Sequence, residues 1–144
     1  MNTHKKAPEN RKNKKTSVNT AKHSTFALQP FGFIVNVITT EGDWSAALNT
    51  ILRKHGISER IEIKPNSAGY FYHSHERNRI YMVFPTKTTA DSILHELTHI
   101  IISVSDLTGT NINLHTTEMI AYTLQSAFRG LTQCLKKMGT KITI

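Results

Sequence analysis

His95, Glu96 and His99 lie in the run Ser92-Ile93-Leu94-His95-Glu96-Leu97-Thr98-His99-Ile100, which carries the clearest chemistry in the chain. On a helix, residues four apart lie one above the other on the same face. Two imidazoles so placed can both reach one zinc ion at about 2.0–2.1 Å. Glu96 can then take a proton from a water that the ion has made acidic, so that the water attacks a carbonyl. The chain is rich in histidine, with 8 in 144 residues, yet its composition gives only about 0.02 chance occurrences of H-E-x-x-H.

The surrounding residues read as a helix. Thr86 to Asp91 supply hydroxyl caps, with Thr88 and Asp91 approximating a capping box. Ile93, Leu97, Ile100, Ile101 and Val104 recur at helical spacing and form an apolar stripe, so the motif sits mid-helix. A catalytic zinc needs a third protein ligand. The pattern that would put Gly at 102 and a ligand at 105 fails, because Ile102 and Ser105 stand there. Glu118 and His115 remain as candidates.

Glu118 opens a second amphipathic run, Thr116 to Phe128, continued by Leu131 and Leu135. A carboxylate in a first turn is favoured by the helix dipole whether or not it binds metal. The connection from Ser103 to Leu114, with Gly109 and Asn111, is long enough to turn the chain back. An antiparallel helix pair would bring Glu118 toward the histidines.

His95-Glu96-Leu97-Thr98-His99, a connection of about twenty residues and then Glu118-Met119-Ile120-Ala121-Tyr122 resemble the gluzincin metallopeptidases. The chain is similar in particular to short zinc-peptidase-like proteins of bacteriophages and bacterial genomes. The resemblance covers roughly residues 80–130. It implies a Zn2+ cofactor held by His95, His99 and Glu118, Glu96 as catalytic base, and a peptide or protein substrate. In that family a strand before the zinc helix borders the cleft and pairs with extended substrate; residues 70–73 or 80–84 are the candidates. Thermolysin-like members carry an Asp four residues after the ligand Glu, where this chain has Tyr122. Tyr122 is a candidate donor to the developing oxyanion, with core packing as its alternative role. Taking His115 as third ligand instead resembles the SprT-like proteases, which act on DNA-bound proteins.

The elements that must position these groups are short. Phe31 to Ile38 reads as a strand, Asp43 to His55 as a helix closed by Gly56, and Ile61 to Lys64 as a brief strand stopped by Pro65. His55 reads as a cation at that helix's C-terminus. Residues 70–73 and 79–84 flank a polar turn, as in a hairpin. His73 and His75, two apart near that turn, are either exposed turn residues or a second metal pair. The expected order is β-α-β-β-β-α-α. That is an α+β domain with a small, mostly antiparallel sheet and its helices on one face, a minimal gluzincin-like fold. Residues 139–144 read as a frayed end or a short strand.

Charge is uneven. Residues 1–25 hold seven Lys and Arg against Glu9 alone, a net of +6, leaving +2 for the rest of the +8 total. This stretch has almost no large apolar residue and reads as a disordered basic tail, with 26–144 as the single domain. It suits weak, non-specific contact with nucleic acid, or plain solubilisation. No apolar run resembles a secretory signal or membrane span, and Cys134 is the only cysteine, so a cytoplasmic setting is expected, that of the host cell for a phage protein. Cys134 itself reads as a small packed hydrophobe.

Overall fold

The computed structural model describes residues 21–144; the basic stretch 1–20 lies outside the described residues. In chain order the elements are β1 (Lys22–Leu28), β2 (Phe33–Thr39), α1 (Trp44–Lys54), β3 (Tyr70–Ser74), β4 (Arg79–Phe84), β5 (Lys87–Thr89), α2 (Ala90–Thr108), α3 (Thr117–Lys137) and β6 (Lys141–Thr143). Strands β1, β2, β4 and β3 form a sheet in that spatial order. Within this sheet only the β2–β4 pair is parallel, with Val35 opposite Ile80 and Val37 opposite Met82. A mixed, mainly antiparallel sheet with three helices is an α+β fold, as the strand and helix patterns suggest.

Side chains alternate across the two faces of each strand. Val35, Val37, Ile80, Met82 and Phe84 pack with Ile93, Leu97 and Ile100 of α2 and Leu131 and Leu135 of α3. Ile38, Tyr81 and Val83 point the other way, onto Leu48 and Leu52 of α1. The helices therefore cover both faces, not one. Only the amphipathic pair α2–α3 shares a face, and a second core lies beneath α1.

Two further expectations change. Strand β1 takes in residues 22–25, which the composition assigns to the tail. It is an outer strand whose polar half suits a sheet edge, and the Lys22 amine donates to the Met138 carbonyl at 2.9 Å. Residues 61–64 are not a strand. The Asn49 side chain bonds the Ile61 N–H at 2.8 Å and the Ile61 carbonyl at 2.7 Å. Ser45 Oγ takes the Ile63 N–H at 2.8 Å. Polar side chains of α1 thus satisfy the backbone that a neighbouring strand would otherwise bond.

Helix ends follow local rules. Asp43 caps α1 by accepting from the Ala46 N–H at 3.1 Å, and Gly56 follows with φ +70°. Beyond α3, residues 141–143 form β6, parallel to β5 just ahead of α2. Cys134 is buried and free.

Gly130 is needed for packing, not for its backbone conformation. A Cβ at Gly130 in α3 would clash with the Phe26 ring of β1. Gly130→Ala should therefore lower stability by about 1–3 kcal/mol through overpacking, despite the better helix propensity of alanine. Chemical denaturation with an unchanged m-value would show it; a gain in stability would mean the ring is free to move aside.

Candidate metal and hydrolytic site

Thr89 caps α2 by accepting the Ser92 N–H at 3.2 Å, one residue beyond the expected Thr88 cap, and Gly109 ends it with φ +63°. That fixes His95, Glu96 and His99 in its first three turns. The helix buries Ile93, Glu96, Leu97, Ile100 and Val104, while Leu94, His95, Thr98 and His99 face outward.

The two imidazoles converge. His95 Nε2 and His99 Nε2 are 3.3 Å apart, with ring centroids at 5.0 Å and planes at 72°. Two nitrogens each about 2.0–2.1 Å from one tetrahedral ion stand about 3.3–3.4 Å apart. The pair therefore fits two corners of such a site. Phe71 of β3 stacks on the His99 ring at 5.4 Å and 17°, fixing its plane. Burial, and then the neighbouring His95, lower the His99 pKa, favouring the neutral ring that binds metal.

Glu96, next to His95 in sequence, is buried where both histidines are exposed. It is 4 % exposed, and its Oε2 is buried without a hydrogen-bond partner. Burial raises its pKa, and the neighbouring His95 acts in the opposite direction. A cavity of about 400 Å³ lies beside it, lined by Ser67, Ala68, Gly69, Asp91, Ser92, His95 and Glu96. The outer strand β3 follows directly from that lining. Of the two strands expected to border a cleft, β4 is interior and β3 is the edge.

The other expected groups are not assembled with the pair. Among the described residues, no set of three His, Cys, Asp or Glu side chains is arranged to hold a metal ion. Glu118 does occupy the first turn of α3, but it is exposed and lines a groove with Leu94, Leu97 and Phe128. His115 is exposed in the connection between helices, its N–H bonded to Asn113 Oδ1 at 2.8 Å. Tyr122 is 64 % exposed, so it is not a core residue. It lines two grooves along α3, neither of which includes His95, His99 or Glu96.

The remaining histidines divide. His73 and His75 have ring centroids 4.6 Å apart, and His73 Nε2 is buried without a partner. His55 caps α1, but its Nδ1 pairs with the Tyr81 hydroxyl at 2.7 Å. Burial, then Arg79 and His23, lower its pKa, which opposes the role of helix-end cation.

Sequence reasoning missed residues 67–69 and Phe71. The signal was present as Ser67-Ala68-Gly69, a run of small side chains that admits close backbone approach.

Comparison of the chain with known protein families, with curated proteins and with solved structures finds no match. No helix among the described residues is long and apolar enough to cross a membrane.

Proposed function

We propose that this chain is a zinc-dependent hydrolase of the metallopeptidase kind, acting on peptide in extended form. The observation that supports it most is the 3.3 Å convergence of the His95 and His99 nitrogens on a helix that buries an unpartnered Glu96. His95 and His99 hold the ion in this reading. Glu118 is the first candidate for the third donor and His115 the second, either brought in by displacement of the 109–116 connection on metal binding. Bound zinc supplies Lewis-acid polarisation of the carbonyl and brings the pKa of water toward about 7.

The chain's own groups do the rest. The free edge of β3 offers N–H and C=O groups to an extended substrate, largely regardless of sequence. The Glu96 carboxylate accepts the proton of the attacking water and returns it to the departing amine as the C–N bond breaks. Its raised pKa suits that exchange, because a proton acceptor works best when its pKa lies near the working pH.

Zinc-loaded full-length protein should cleave quenched-fluorescent peptides. A chelator should abolish the signal, and added zinc should restore it. Cleavage that survives chelation would sink the proposal. A second reading is supported by the exposure of both imidazoles without a third donor. There the ion serves binding, with another molecule completing its shell, and Glu96→Gln leaves the biological effect intact.

A further inference from the structure

The segment 67–69 enters β3 beside the first turns of α2. A Cβ built on Gly69 would stand 2.8 Å from Glu96 Oε1, 2.9 Å from Cγ and 3.1 Å from Cδ. At such distances something must shift, and because these three atoms are its nearest neighbours, it is the Glu96 side chain that would have to move. Gly69 is not among the glycines with positive φ, which are Gly32, Gly56, Gly109 and Gly139. Its backbone conformation therefore makes no demand for glycine. The demand comes from Glu96.

From this geometry we infer that Gly69 is a positioning residue for the Glu96 carboxylate, an inference that rests on the hydrolase reading above. Absence of a side chain at 69 lets the carboxyl group lie against the backbone that leads into the edge strand. Glu96 Oε1 is the atom nearest to where that side chain would stand, while Oε2 is buried without a hydrogen-bond partner. The backbone beside the carboxylate continues into Tyr70 and Phe71, and the Phe71 ring stacks on His99. A peptide laid along β3 would share a single rigid reference with the proton acceptor and one imidazole. Catalytic groups need positioning to within about 0.5 Å, which a contact of this kind supplies.

The test has two arms on full-length protein. In the first, thermal midpoints without zinc are measured for wild type, Gly69→Ala, Glu96→Ala and the double variant. Gly69→Ala should lower the midpoint in the wild-type background. In the Glu96→Ala background it should leave the midpoint unchanged or raise it, because the clash has lost its partner and alanine restricts the unfolded chain. Equal losses in both backgrounds overturn the contact.

In the second arm, peptide turnover per bound zinc is compared for wild type and Gly69→Ala. Normalising to zinc removes any effect of a reduced folded fraction. Turnover should fall at least tenfold with KM and zinc affinity unchanged; unchanged turnover overturns the positioning role. If wild type cleaves no peptide, the hydrolase reading fails and the positioning role with it. A reversal of sign in the first arm would still establish the contact on its own.

Discussion

Glu96→Gln should cost about 10²–10⁴-fold in turnover, the range expected when a positioned proton acceptor is removed. The same change should make the metal-free protein more stable at neutral pH. Glu96 is buried with an unpartnered oxygen, and an unsatisfied buried polar group costs about 1–3 kcal/mol, more when charged. The pH dependence gives the sign. Burial raises the folded-state pKa above the unfolded value, so between the two the folded protein binds more protons. Stability then falls as pH rises through that window, and the penalty is complete above the folded pKa. Glutamine does not titrate. The stability advantage of Glu96→Gln should be small in acid, grow as pH rises and then level off. Calorimetric midpoints at a series of pH values would show this, with zinc content confirming that the imidazoles still bind. A variant that loses zinc, or is less stable at every pH, would mean that the carboxylate holds the helix together rather than serving chemistry.

The second large effect concerns the ion. His95→Ala or His99→Ala should weaken zinc binding by at least about 100-fold, beyond the 10–100-fold typical of outer-shell partners. Each removes half of the preformed 3.3 Å pair. Glu118→Ala and His115→Ala decide the third position by metal content and affinity on the full chain. Loss with Glu118→Ala alone assigns the carboxylate; loss with His115→Ala alone assigns the imidazole. Retention in both, with loss in the first two, supports an ion completed by another molecule. Full retention in all four variants would remove the metal reading altogether. Glu96 shares a cavity with His95 but is not one of the residues that hold the ion in this reading, so it is the control: its replacement by Gln should leave affinity close to wild type.

The contrast between what could and could not be read from the chain follows from locality. The spacing of Ile93, Leu97, Ile100, Ile101 and Val104 identifies the inner face of α2, and all are buried but Ile101, which is half-buried. The i, i+4 relation of His95 and His99 needs only one helix, and the rings do meet. The 70–74 and 79–84 hairpin is likewise local. Strand β1 was hidden because Lys22, His23, Ser24 and Thr25 sit on a sheet edge, where polar side chains carry no penalty. The Ile61–Lys64 alternation was genuine, but its polar partners came from α1 rather than from a strand.

The side of the sheet on which α1 lies was also missed. Its sign was there in Ile80-Tyr81-Met82-Val83-Phe84, an unbroken apolar run, which marks a strand covered on both faces. The meeting of Glu118 with the histidines depends on how two helices lean together. No periodicity within either one encodes that.

The second core beneath α1 separates two tasks within one small molecule. Trp44, Leu48 and Leu52 pack on the face of the sheet away from His95 and His99. Substitutions that lower stability near the imidazoles can be compensated across the sheet, in side chains that lie on its other face. Such a layout gives the chain a hidden reserve: the histidine-bearing face can vary while solidity is rebuilt elsewhere.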